Sequence, residues 1–427
     1  MYLNIFINFL SSGRISVKRL AKNKLVHNTS MLYILNASKL LFPFLTFPYL
    51  TRVLSVEGYA VLVYVKAMMS YMLVWIAFGF MLSATKRVVQ ARKDIFLISS
   101  IVSNTIFARF LLGLAGGVIV LVCSYTIPLL RQNLLFTWLS YIPVFLTCFI
   151  TDFLFRGLEK MHEITLRFVT MKGISTALTF VFVHSDKNLL LIPILDIFSS
   201  IVALILIYIR FAKYNVHLVP PSLCTAWRYI KESCTYFLSS AATTAFGALN
   251  TLLIGVYLPE SDVAIWAVAL QLIMLIQMCY GPITDGIYPE MIRNQKLALI
   301  KKIAFLFMPI VFVGCMFCYV AAPFIIRIAS GNKYMAAVPI FRLLLPVLFF
   351  SFPAILCGWP ALGAIGKVKQ TTCTTIAAAC IQVSGLAILI VGGQFTLPLV
   401  ALLRGCSESL FFTMRFYLIH KYRAEFK

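Results

Sequence analysis

Twelve stretches of about twenty mostly apolar residues follow one another along this chain with short connections between them, which leaves few folds open to it. A run of that length crosses the hydrocarbon core of a bilayer as one α-helix, with its backbone groups satisfied internally. The runs fall near 29–50, 60–80, 101–127, 134–153, 165–183, 188–210, 234–257, 262–289, 303–326, 338–360, 370–391 and 396–418. Hydrophobic residues make up 61% of the 427 and charged residues only 12%, which excludes a soluble globular domain. The longest connection, about 211–233, contains Pro220-Pro221 and divides the runs six and six. The expected fold is an all-α polytopic membrane protein with twelve transmembrane helices. Its predicted parts are an interfacial N-terminal segment over 1–28, a six-helix lobe over 29–211, an inter-lobe linker over 212–233 and a second six-helix lobe over 234–427. The opening MYLNIFINFL precedes its basic residues, the reverse of a signal peptide, so 1–28 reads as an uncleaved segment on the membrane surface.

Charge orients the chain. Of 37 Lys and Arg residues, 25 fall in the segments that would be cytoplasmic, 6 in those that would be periplasmic and 6 inside the runs. Basic residues collect on the cytoplasmic side, so both termini are predicted there. The net charge of +23 has this topological origin, and no polar domain exists to carry a nucleic-acid-binding face. Both halves begin on the same side, as a parallel repeat about an axis along the membrane normal would. The turn Val53–Tyr59, followed by Tyr64, has a faint echo in Val256–Asp262, followed by Trp266.

No catalytic signature accompanies these runs. Gly366-Lys367 approaches a phosphate-binding loop, but Ala361 stands where its first Gly is needed and Val368 where Ser or Thr is needed. No nucleophile elbow and no metal-ligand array occurs, and the C-x-x-C of Cys315 and Cys318 lies alone in an apolar run. No cofactor and no metal are expected, and the chain reads as a non-enzyme.

The cations inside the runs are Lys39, Lys66, Arg109, Lys172, Arg404 and Arg415. A cation at the bilayer centre costs about 2.5–3.5 kcal/mol on insertion scales, which makes each a functional suspect. Arg415 lies near the end of its run and reads as snorkelling to the surface. Arg404 and Glu408 are four residues apart on one helix face and either neutralise each other or leave Arg404 for a ligand. In the first half, Lys39, Lys66, Arg109 and Lys172 face one deep acid, Asp196, an excess of three charges. Burying that excess dry is prohibitive, so these four are predicted to line a hydrated electropositive cavity suited to phosphate or pyrophosphate. Asp285, set among Gly281-Pro282 and Gly286, reads equally as an ion-coupling carboxylate or as a residue of a frayed helix end. Asp196 and Glu408 are the other candidate coupling acids.

Phe47-Pro48-Tyr49-Leu50-Thr51-Arg52-Val53-Leu54 with Glu57-Gly58-Tyr59, Phe78-Gly79-Phe80-Met81-Leu82-Ser83-Ala84-Thr85-Lys86, and Phe155-Arg156-Gly157-Leu158-Glu159-Lys160-Met161 resemble motifs of the bacterial polysaccharide transporter family. That family includes the Wzx-type O-antigen repeat-unit flippases, within the superfamily of multidrug, oligosaccharidyl-lipid and polysaccharide exporters. The resemblance is most specific over 40–165 and extends weakly over the whole chain. It implies a two-lobe alternating-access exporter in the bacterial inner membrane. Its cargo would be an undecaprenyl-pyrophosphate-linked oligosaccharide, coupling would be to H⁺ or Na⁺, and a polysaccharide polymerase with its chain-length machinery would be a protein partner. Its members are similar to this chain in carrying cations in the N-terminal lobe, here Lys39, Lys66, Arg109 and Lys172; Arg404 of the second lobe is a further candidate substrate-binding cation from the residues alone. One departure is Arg156 before Gly157, which reads as an i, i+4 partner of Asp152. Three alternatives fit less well. A multidrug or organic-cation exporter of the same superfamily would want acids in the first lobe. A lipid II flippase would have fourteen spans. An O-antigen polymerase would carry a large periplasmic loop, and the largest here are about a dozen residues.

Overall fold

The computed structural model describes residues 24–92 and 94–426, and no strand occurs among them. Twelve helical elements are long and apolar enough to cross a membrane, the seventh as a bent pair. They are α1 (Lys24–Val53), α2 (Val56–Gln90), α3 (Ile95–Thr126), α4 (Leu134–Gly157), α5 (Met161–Phe182), α6 (Asp186–Phe211), α7 (Leu223–Tyr257), α8 (Glu260–Asn294), α9 (Leu297–Ser330), α10 (Ala337–Gly363), α11 (Val368–Val391) and α12 (Leu397–Lys421). Each coincides with one apolar run, so this is a multi-pass membrane protein. The interfacial segment expected over 1–28 lies outside the described residues as far as residue 23, and from Lys24 the chain is part of α1.

Local chemistry sets the starts and breaks of these helices. Ser55 caps α2 by accepting from Gly58 N, and Asp94 caps α3 by accepting from Leu97 N. Within α2, Phe78 and Gly79 both take positive φ (39° and 74°). A Cβ on Gly79 would lie 2.4 Å from Tyr236 Cβ, so the break and the approach of α7 both require glycine there. Helix α4 is interrupted by a 3-10 turn at Thr147–Phe149, and α10 passes into a π-helical segment at Cys357–Gly363 in which Gly358 leaves helical geometry.

The same packing scheme occurs twice. In the first half α1 packs on α5, α5 on α6, α6 on α4, and α4 on α2 and α3. In the second, α7 packs on α11, α11 on α12, α12 on α10, and α10 on α8 and α9. Shifting the first set by six helices gives the second, the signature of a parallel repeat. Between the halves α2 meets α7 and α8, α3 meets α7, and α1 meets α9. The match fails at two places. Helix α2 packs on α3, while α8 and α9 make little contact. Helix α2 packs closely on α7, where Gly255 leaves room for the Tyr64 ring, yet α8 and α1 barely touch.

Apolar packing shows how the halves join. One continuous core holds Leu54, Tyr64 and Leu130 together with Trp266, Phe341 and Val400, at the end of the molecule predicted to be periplasmic. At the other end it splits in two, one part around Phe80, Val102 and Phe155, the other around Met291, Phe352 and Leu362. The joined end is also tied by polar contacts. Arg52 donates to the Ile328 carbonyl, Lys333 to the Leu54 carbonyl, and Thr51 Oγ1 to the Ala329 carbonyl at 3.4 Å.

Helix α7 begins inside the stretch expected to be a linker and bends by 58° between Leu223–Thr244 and Gly247–Tyr257. Its first part packs on the first half. Phe237 stacks on Phe78 at 4.3 Å, Ser233 Oγ meets Ser83 Oγ at 2.7 Å, and Arg87 pairs with Glu232.

Candidate functional site

Where the core splits, three adjoining spaces open between the helices. The largest, about 740 Å³, is walled by α2, α3, α4, α5 and α6, with Ser240 of α7 at its edge. A second of about 340 Å³ lies between α1, α2, α5 and α6 and reaches Gln271 of α8. A third of about 400 Å³ lies between α2, α7 and α8. Lys66 lines all three.

The four first-half cations expected to share a cavity do share these walls. Lys66, Arg109 and Lys172 line the largest space, and Lys39 joins Lys66 and Lys172 in the second. Lys172 Nζ lies 3.9 Å from Asp196 Oδ1, which also accepts from Ser175 Oγ at 2.6 Å. Lys39 Nζ sits 5.9 Å from the centre of the Phe168 ring. Arg109 is buried, and its Nη1 donates to the Ile150 carbonyl at 2.5 Å. That carbonyl lies just beyond the 3-10 turn of α4, so the guanidinium covers a carbonyl beside the break. A neutral carbonyl leaves the charge of Arg109 uncancelled.

The sequence reading missed one member of the wall. Arg167, counted there with the cytoplasmic residues, lines the largest space. It grips Asp152 with both arms of its fork, Nε to Oδ1 at 2.9 Å and Nη2 to Oδ2 at 2.6 Å. The expected Asp152–Arg156 pair is therefore replaced. Arg156 is exposed, and the break in α4 turns Asp152 toward α5 instead. Only the apolar surroundings of Arg167, at the start of its run, hinted at this in the sequence. Among the described residues the three spaces expose five cations, Lys39, Lys66, Arg109, Arg167 and Lys172, against two carboxylates, Asp152 and Asp196. The excess of three positive charges is left open to the cavity.

Arg404 is not among those walls. It lies buried in α12 with Nη1 2.6 Å from Glu408 Oε2, a closed pair inside the second half. Arg415 does not snorkel, since its side chain is buried as well. It donates to the Ala354 carbonyl at 2.7 Å and to Thr374 and Thr375 at 3.3 and 3.2 Å, and it lies 4.0 Å from the Phe411 ring centre. Its guanidinium fills the room beside Gly358, where a Cβ would meet it at 2.5 Å. The Asp285 side chain lies outside the described residues.

What these spaces can do is hold an anion in a hydrated pocket and expose it to one side, because the apolar core seals the other end. Known proteins agree with that architecture. A multidrug resistance MATE family transporter of the MOP superfamily in an inward-facing conformation superimposes with a TM-score of 0.63 over 90% of this chain and 98% of its own, at 14% identity. An outward-facing MATE family transporter of that superfamily gives 0.59 over 93% and 96%, at 15% identity. These likenesses show that the chain has the fold of those transporters. In sequence, the chain is 25% identical over 336 residues to a protein of Escherichia coli (strain K12) named "Putative O-antigen transporter", covering 77% of this chain and 81% of the relative. It is 27% identical over 277 residues to a protein of the same name from Shigella dysenteriae, covering 63% and 67%. Residues 25–295, well over half the chain, match the polysaccharide biosynthesis protein family. The chain belongs to that family.

Proposed function

We propose that this protein is a flippase that moves an oligosaccharide linked through pyrophosphate to undecaprenol from the inner to the outer leaflet of the bacterial inner membrane. The observation that carries this reading is the open excess of three positive charges around Lys66. A pyrophosphate is the anionic part of such a cargo. At an effective dielectric near 20, a cation 4 Å away contributes about 4 kcal/mol before desolvation. The lipid tail would stay in the bilayer while the head group is inside, passing between α1 and α8, which make little contact. Residues 29–211 and 234–427 act as the two lobes, with both termini cytoplasmic. Alternating access then separates the Arg52–Ile328 and Lys333–Leu54 ties and closes the split end.

Asp196 is the proposed coupling carboxylate. Protonating it would free Lys172 for the cargo, and pairing with Lys172 again after release would reset the site. Lys39, Lys66, Arg109 and Lys172 are the proposed anion ligands. Arg404 and Glu408 are assigned to structure, since they neutralise each other away from the cavity. An organic-cation exporter is disfavoured by the sign of the cavity.

The test is Lys66→Gln at unchanged protein level. Surface polysaccharide should fall and lipid-linked intermediates should accumulate on the inner leaflet, while Lys66→Arg retains most export. Parental export by Lys66→Gln would sink the anion-site reading.

A further inference from the structure

The charged wall occupies one side of the cavity and the opposite side is of another kind. Every cation facing the three spaces stands on α1, α2, α3 or α5. The third space, beyond Lys66, is closed by α7 and α8, which present Thr244, Thr251 and Gln271 and no charge. Its volume of about 400 Å³ falls within the usual range of small-molecule sites, roughly 300–1,000 Å³.

These three side chains differ in their bonding from many hydroxyls of the membrane helices. Hydroxyls in the apolar interior commonly bond to a carbonyl one turn back, as Thr105 does to Ile101 at 2.7 Å, Thr137 to Asn133 at 3.0 Å, Thr179 to Ser175 at 2.8 Å and Thr284 to Tyr280 at 3.2 Å. Among the described residues Thr244, Thr251 and Gln271 make no side-chain hydrogen bond, although Thr251 is only 6% exposed. Their polar atoms line the cavity with no protein partner, so they are available to water or to a polar ligand. Together they offer both donors and acceptors and no net charge. That matches vicinal sugar hydroxyls, or the amide of an N-acetyl group, and does not match phosphate.

We infer that the space between α2, α7 and α8 is a sugar subsite that holds the first residues of the oligosaccharide while Lys66 and its neighbours hold the pyrophosphate. This deepens the proposed function and rests on it. The geometry is consistent with the chemistry of such a cargo, in which the first sugar is bonded directly to the distal phosphate. Lys66, shared by all three spaces, would stand at that junction. Gln271 borders both the second and the third space and so lies next to the same junction from the facing helix. Sugar preference would then be set by α7 and α8, while recognition of the lipid pyrophosphate is set by the first half.

The experiment measures two affinities on purified protein in nanodiscs. One probe is undecaprenyl pyrophosphate, the other the complete lipid-linked repeat unit extracted from cells that make this protein. The parental chain should bind the glycosylated probe more tightly. Gln271→Leu and Thr251→Val should each reduce that preference, by roughly three- to tenfold for one or two lost hydrogen bonds, and leave the affinity for undecaprenyl pyrophosphate unchanged. The unchanged affinity for the bare lipid also reports that the variants are folded. A preference unaltered in both variants would overturn the inference, and so would an equal loss for both probes. Failure of the parental chain to bind either probe would instead overturn the flippase reading and the subsite with it.

Discussion

The two halves of this protein share one packing scheme and treat their buried cations in opposite ways. In the second half, Arg404 is closed on Glu408 at 2.6 Å, and Arg415 directs its donors to the Ala354 carbonyl and two threonines beside the break in α10. In the first half, Arg109 does the corresponding work beside the break in α4, yet Lys39, Lys66 and Lys172 line the adjoining spaces with Asp196 as their acid, Asp152 being held by Arg167. The Arg404–Glu408 pair shows that the scaffold can neutralise a buried charge, while Arg415, like Arg109, donates to neutral acceptors. On the proposed function, the excess of three left on one side serves the anionic cargo. The repeat also separates the two duties of an intramembrane arginine. Both Arg109 and Arg415 supply a buried carbonyl with a donor, and only Arg109 does so at the wall of a cavity.

The contrast can be broken at several points. The largest effect is expected for Glu408→Gln, which leaves a buried guanidinium without its counter-charge. It should destabilise the protein by about 3–5 kcal/mol, read as a loss of thermal stability in detergent and of steady-state level. A neutral outcome would remove the claim that the second half is held by this pair. Next come the two break-capping residues. Arg109→Met and Arg415→Met should each cost about 1–3 kcal/mol for a carbonyl left without a donor. Only Arg109→Met should also lower export per molecule of protein, and equal transport defects would erase the distinction between the halves. Charge swaps sharpen it further. Exchanging Arg404 and Glu408 should preserve both level and export. Exchanging Lys172 and Asp196 should preserve level and reduce export by roughly tenfold, because the second swap moves charges that face cargo. The smallest effect is expected for Arg156→Gln, within about 0.5 kcal/mol in a denaturation assay, since Arg156 is exposed and Asp152 is held by Arg167. A loss above 2 kcal/mol would restore the Asp152–Arg156 pair that the local spacing suggests.

Much of the fold was legible because the bilayer imposes a length and a hydropathy on every span, and all twelve apolar runs returned as helices. The four first-half cations were legible for the related reason that charge in such a run is an outlier. What could not be read was anything set by how helices meet. Asp152 and Arg156 have the spacing of a helical pair, but the 3-10 turn at Thr147–Phe149 turns the carboxylate toward Arg167 on the next helix. Arg415 looked able to reach the surface, and only the departure of Gly358 from helical geometry gives it room inside. The stretch before residue 234 carries enough polar residues to resemble a linker, yet it continues α7 and packs on the first half. Gln271, Thr244 and Thr251 carry no signal at all, because a neutral polar residue in an apolar run is commonplace until its neighbours are known.

The confinement of every cavity cation to helices α1, α2, α3 and α5 has a consequence for how such chains can diversify. The carrier lipid is the same whatever glycan a bacterium builds, while the glycan changes from strain to strain. On the proposed division of the cargo, with its constant part met by the first half and its variable part by α7 and α8, a strain that acquires a new surface sugar need not rebuild its exporter. Recombination within the stretch encoding α7 and α8 would suffice, and chimaeras joined there should inherit their glycan preference from one parent and their grip on the carrier from the other.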